Sequence, residues 1–198
     1  MHTARADRQH DLYFRTGDSG FYFRNVNQGV TLTDERISWN FNGQEDGAPY
    51  RNIRSVHLQT GGDWRNPIGI CRITFADGHV LIVTNADCLG HPDEARRSAY
   101  REFVHDLHAR LAALADNTIG FTTGWQGFRY PLIIACTIGM GIICLVVPII
   151  VMIKSGNIFE PLGILLAGVG LCWPLMTAAE KNAPRSYDPH RPPEELLG

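Results

Sequence analysis

The chain has 198 residues, a formal net charge of −2 and only 19% charged residues, a length that suits one ordinary domain with appendages or two small ones. Residues 1–128 carry 13 Arg and no Lys against 15 Asp and Glu, a balance that excludes a nucleic-acid binder held by bulk electrostatics. The five cysteines, at 71, 88, 136, 144 and 172, have no CxxC spacing, which excludes a zinc ribbon or a disulfide framework and fits a reducing compartment.

A mean hydropathy of −0.11 hides a partition. The opening MHTARADRQHDLYFR has no apolar stretch of the kind a signal peptide needs, and residues 1–18 read as a flexible lead. From there the pattern is β. FYFRNV (21–26) and GVTL (29–32) are followed by a TDER turn and by ISWNF (37–41), where Ile37, Trp39 and Phe41 alternate with Ser38 and Asn40. NGQEDGAP (42–49) reads as a loop, YRNIRSVHLQT (50–60) as a strand, and GGDWRNP (61–67) as a second loop.

IGICRITFADGHVLIVT (68–84) reads as a β-hairpin, with Asp77-Gly78 as a two-residue turn. That turn pairs Phe75 with Val80, Ile73 with Ile82 and Arg72 with Val83. One face is then Cys71, Ile73, Phe75, Val80 and Ile82, expected to be core. The other holds Arg72, Thr74, Leu81 and Val83, and its apolar half calls for cover by the domain's own elements or by a partner.

From HPDE (91–94) the period becomes helical. Tyr100, Phe103, Val104, Leu107, Leu111 and Leu114 form one apolar stripe, with Asp106 and Arg110 as an i,i+4 pair. Strands followed by one closing helix give an α+β domain over 19–116. Residues 117–130 read as a linker whose Trp125, Phe128, Arg129 and Tyr130 are the interface anchors of a membrane entry.

Residues 131–153 contain no charge and as a helix would reach roughly 34 Å, enough for a hydrocarbon core of about 30 Å. A second apolar run, about 159–178, makes a transmembrane hairpin over 131–179. Pro148 and Pro174 lie inside the spans and are expected to kink them. Ala135 with Gly139, and Gly163 with Ala167, have small-xxx-small spacing, which suits packing within the hairpin or against another membrane subunit. Arg129 before the first span and Lys181, Arg185 and Arg191 after the second, against Lys154 between them, put both termini in the cytoplasm. The Pro-rich tail 180–198 reads as flexible, a docking segment at most.

LTDERISW (32–39), YRNIRSVHL (50–58), the ADG hairpin (76–78) and the closing helix together resemble a bacterial pleckstrin-homology-like domain over residues 20–115. The resemblance implies a curved antiparallel sheet capped by one C-terminal helix, in small domains joined to membrane helices, although in that group the membrane helices commonly come first. It also draws attention to Arg24 and Arg36, in the region where lipid-binding members carry basic residues; here Asp34 and Glu35 stand beside Arg36.

No catalytic signature such as GxSxG, HExxH or a P-loop is present. His91, His105 and His108 read as solvated surface residues rather than metal ligands. Asp63, Trp64 and Arg65 form an exposed-loop combination typical of a binding hot spot, and Leu81 and Val83 are the other candidate partner contacts. The expectation is a non-enzymatic, membrane-anchored interaction or scaffold protein. It is integral to a bacterial inner membrane, assembles with itself or another membrane protein, and needs no cofactor or nucleic acid. The alternatives are a lipid-responsive sensor and a membrane enzyme with an unrecognised site.

Overall fold

The computed structural model describes residues 6–17, 26–27, 29–41, 44–62, 66–114, 118–125, 127–155 and 159–197. It divides into two compact units, residues 1–123 with 185–198, and residues 124–184. The class is α+β with mostly antiparallel sheets.

In the first unit, β1 (Arg8–His10), β4 (Val30–Leu32), β5 (Arg36–Phe41) and β6 (Gln44–Pro49) make a four-stranded antiparallel sheet in the order β1-β4-β5-β6. A seven-stranded sheet holds β2 (Tyr13–Thr16), β3 (Val26–Asn27), β7 (Ile53–Gly62), β8 (Pro67–Phe75), β9 (Val80–Thr84), β10 (Gly120–Thr123) and β11 (Arg185–Ser186), in the order β11-β10-β7-β8-β9-β2-β3. All its pairings are antiparallel except β10 with β7. The helix α1 (Arg97–Ala113) follows a 3-10 turn at Glu94–Arg96.

The stripe expected on the helix is the stripe it buries. Tyr100, Phe103, Val104 and Leu107 are wholly buried and Leu111 nearly so, in one core with Leu12, Phe14, Ile37, Val56 and Ile73. Leu114, one turn further on, is exposed. The helix approaches the sheet closely because β8 offers Gly69: a Cβ there would collide with the ring of Tyr100. On β5 the expected inward pair Ile37 and Trp39 is buried, but Ser38 between them, expected on the outer face, is buried as well.

Four segments depart from the sequence reading. The lead 1–18 contributes β1 and β2. The loop 42–49 is largely β6, its Gln44–Pro49 paired with β5 through to Arg36↔Pro49. The linker 117–130 contributes β10, which lies parallel to β7 in the register Phe121↔Val56. The C-terminal tail is not a loose appendage: it supplies β11 and a 3-10 turn at Glu194–Leu196, with Leu196 and Leu197 in the core.

The β8–β9 hairpin is real, but its register differs by one residue from the expected one. The N–H of Gly78 donates to the Phe75 carbonyl (3.0 Å) and the N–H of Phe75 to the His79 carbonyl (2.9 Å). The loop is therefore three residues, Ala76–Gly78, with Gly78 in the left-handed region at φ 86°. Ile73 then faces Leu81 and Cys71 faces Val83. Since side chains alternate every residue, the slip exchanges the faces of β9. Leu81 and Val83 join Cys71, Ile73 and Phe75 in the core, while Val80 and Ile82 form a separate cluster with Ile70 and Ile68.

The second unit consists of α2 (Arg129–Ser155) and α3 (Phe159–Lys181), which pack against each other. α2 is the helix long and apolar enough to cross a membrane among the described residues: within Tyr130–Lys154 an 18-residue stretch has a mean hydropathy of 2.7 and is almost wholly unburied. Pro148 lies within α2 and is buried. The helix contact is made by Gly168, where a Cβ would lie 2.6 Å from the Cβ and Sγ of Cys144.

Candidate functional site: the α1 groove and its fastenings

On the polar side of α1 the first unit carries a groove of about 630 Å3. Glu102, His105, Asp106 and Arg110 of the helix form one wall, and Pro189 and His190 of the C-terminal segment another. At its floor lies Arg110, whose side chain is 4% exposed. Its Nε donates to Asp106 Oδ1 (3.2 Å), Nη2 donates to the Ala6 carbonyl (2.9 Å), and Nη1 donates to the Thr33 carbonyl and to Asp34 Oδ1. One guanidinium fork thus ties the helix to the N-terminal segment and to the β4–β5 turn.

The Asp106 side chain is largely buried too, and its second oxygen lies 3.9 Å from Nε2 of buried His10, too far for a hydrogen bond. Burial pushes the His10 pKa below its ordinary value, against the attraction of Asp106. His10 is therefore a neutral ring buried beside Asp106, edge-on to Phe103 at 5.6 Å between centroids.

Between Asp106 and Arg110 in the helix, His108 is buried, not solvated. The Val104 carbonyl can only accept, so His108 Nδ1–H donates to it (2.7 Å) and Nε2 accepts from the Tyr187 hydroxyl (2.7 Å). Burial lowers the His108 pKa to about 4 and raises that of Tyr187. The folded-state pKa lies below the unfolded one, so this contribution is full above about pH 6.5 and is lost as pH falls toward 4. Unfolding experiments should show about 3 kcal/mol lost across that window, with the slope flattened in His108→Gln. His105 is half-exposed and meets Glu194 at 3.2 Å, a second link to the C-terminal segment.

Both nitrogens of His108 and most of the Arg110 donors are thus occupied within the protein. The groove's polar floor holds chain segments together.

The residues singled out in the sequence fall elsewhere. Asp63, Trp64, Arg65 and Arg24 lie outside the described residues. Leu81 and Val83 are wholly buried and cannot meet a partner, for the register reason above. Arg36 is exposed at the turn that Thr33 closes by accepting its N–H (3.1 Å), and its guanidinium lies over Gly47. His91 pairs with Asp87 at 3.4 Å in a loop ahead of α1.

In the helical pair, Ala135, Gly163 and Ala167 are exposed, and a Cβ on Gly139 or Gly163 would meet nothing within 4 Å. Within the pair, Gly168 packs against Cys144. Phe128 is 74% exposed, Trp125 and Tyr130 are half-buried, and Arg129 is the first residue of α2. No group of three or more potential metal ligands occurs among the described residues.

Sequence reasoning missed the Arg110 hub and the docking of Tyr187, Leu196 and Leu197. The only available signals were the Asp106–Arg110 spacing and a Leu-Leu pair closing an otherwise polar tail.

No family model matches the chain, and no curated protein matches it. Among solved structures it is similar to the hSac2 domain from human phosphoinositide phosphatase Sac2, at 9% identity over 61% of this chain and 79% of that one, with a TM-score of 0.37. A likeness of that size carries neither fold nor function.

Proposed function

We propose that this chain is a non-enzymatic, membrane-anchored interaction protein. A pleckstrin-homology-like domain is held on the cytoplasmic face of a bacterial inner membrane by a two-helix hairpin, and it scaffolds or assembles membrane proteins, its own copies included. The observation that carries the reading is α2, apolar over Tyr130–Lys154 and almost unburied. Ile138, Leu145 and Ile153 are 59%, 57% and 75% exposed, a surface that water would not tolerate and lipid would.

Support for a second span comes from connectivity. β10 precedes the hairpin and β11 follows it, yet the two pair in one sheet. A chain that leaves through α2 must return to the same side, and α3 is the segment available to return it. Both termini then share one side, which the excess of Arg and Lys outside the hairpin assigns to the cytoplasm. Tethering also supplies a reason for the design: confinement raises effective concentration, so weak contacts suffice. The lipid-sensor reading has less support, because Arg36 stands beside Asp34 and Glu35.

The test is the mass and composition of the intact particle extracted with native lipid into nanodiscs. A multiple of 22.1 kDa or a stoichiometric second protein supports assembly, and a lone monomer overturns it. A reporter fused after Gly198 should be active only in its cytoplasmic form.

A further inference from the structure

We infer that residues 185–197 form a latch that completes the α+β unit only after the chain has crossed the membrane twice, so that threading the hairpin and closing the domain are one event. The inference rests on the two-span reading above and goes beyond it.

The latch has no core of its own. It is a short run containing Pro189, Pro192 and Pro193, and it acquires order from what it touches. β11 pairs with β10 as Thr122↔Ser186 and Thr123↔Arg185. The Tyr187 N–H donates to the Phe121 carbonyl (3.2 Å), and its ring stands edge-on to Phe121 and beside His108. The segment then passes the α1 groove, where Glu194 meets His105. It ends with Leu196 7% exposed and Leu197 fully buried.

Withdrawing the latch would open the core where these two leucines sit. Each buried leucine lost raises the open population by at least about tenfold. Because the latch follows both helices in the chain, it reaches the core only from the same side of the membrane. If α3 failed to cross, about 30 Å of hydrocarbon would separate the latch from its seat. A chain inserted incorrectly would thereby carry an open domain.

Cys71 reports on closure. It is wholly buried on β8 in the same core as Leu196 and Leu197, and burial raises its thiol to about pKa 12. It should be silent to maleimide while the latch is seated.

The experiment uses full-length chains in bacterial membranes, with Cys71 as the only cysteine. One variant carries an additional apolar helix of about 20 residues after Ala183, which sends an unaltered latch across the bilayer. A second carries a Gly/Ser insert of equal length, which leaves the latch on its own side at little entropic cost. A third is Leu196→Asp with Leu197→Asp.

The apolar insert and the double Asp variant should both label at Cys71 at least about tenfold faster than the parent, and the Gly/Ser insert within about threefold of it. Protection of Cys71 in the apolar-insert chain, with its C-terminal reporter shown to have crossed, overturns the latch and leaves the two-span anchor standing. The anchor is tested separately with an impermeant reagent on Lys154→Cys and native Cys88. Labelling from opposite faces supports it; labelling from the same face removes the anchor and the latch together.

Discussion

Arg110→Ala is expected to lower the stability of the α+β unit by about 3–5 kcal/mol, the range for removing one partner of a buried ion pair. The guanidinium is 4% exposed and the Asp106 carboxylate 9%. Its loss strands that carboxylate and frees the carbonyls of Thr33 and Ala6, which accept from Nη1 and Nη2. Lys at this position should restore less than half, because a single ammonium cannot reach three chain segments at the angles of the fork. Replacing both partners, Arg110→Met with Asp106→Leu, should cost less than Arg110→Ala alone, since no buried charge is left behind.

The sign of the pH dependence separates this account from simple loss of packing. Arg110 is one of the charges holding the His10 pKa down, against Asp106, which raises it. Without Arg110, His10 takes up a proton more readily in the folded state and can compensate Asp106. The deficit of Arg110→Ala relative to the parent should therefore shrink as pH falls from 7 toward 5. Denaturation of the full chain in micelles at several pH values checks it, and a deficit that stays constant or grows counts against the charge argument.

What could be read from the sequence was set by the range of the interaction that determines each feature. The buried face of α1 follows from a 3.6-residue period within one segment, and Tyr100, Phe103, Val104, Leu107 and Leu111 were all legible. The inward Ile37 and Trp39 of β5 follow from a period of two. The β8–β9 register depends on whether the chain turns over two residues or three, and Ala-Asp-Gly allows both. The three-residue loop, with Gly78 at positive φ, moved Leu81 and Val83 from a proposed partner face into the core.

The least legible features join distant parts of the chain. β10 and β11 are separated by the whole apolar hairpin, so neither has a neighbour in sequence to announce its pairing. Tyr187, Leu196 and Leu197 sit in a stretch whose composition is that of a disordered tail, and their burial is decided by a slot built from other elements. The same holds for Arg110: an i,i+4 pair with Asp106 on a helix surface is usually worth a few tenths of a kcal/mol. The N-terminal segment and the β4–β5 turn closing over it turn that pair into a buried hub.

Gly69→Val should be the most damaging single change on β8, costing about 3 kcal/mol or more through overpacking. The Cβ would collide with Cε1 and lie 2.8 Å from Cδ1 of Tyr100, and that ring is wholly buried, as are Phe103, Val104 and Leu107 beside it on the helix. The strand cannot retreat either. Gly69 N–H donates to Asn85 Oδ1 (2.7 Å) and its carbonyl accepts from the Thr84 hydroxyl (2.8 Å), both buried at the end of β9. If the ring is the obstacle, shortening it should relieve the strain. Gly69→Val combined with Tyr100→Leu should be more stable than the sum of the two single effects, by a coupling of about 1–3 kcal/mol. Tyr100→Phe should be close to neutral, because its buried hydroxyl has no hydrogen-bond partner among the described residues. Strict additivity in that cycle would place the cost of Gly69→Val in the strand backbone and remove the close helix–sheet approach as its cause.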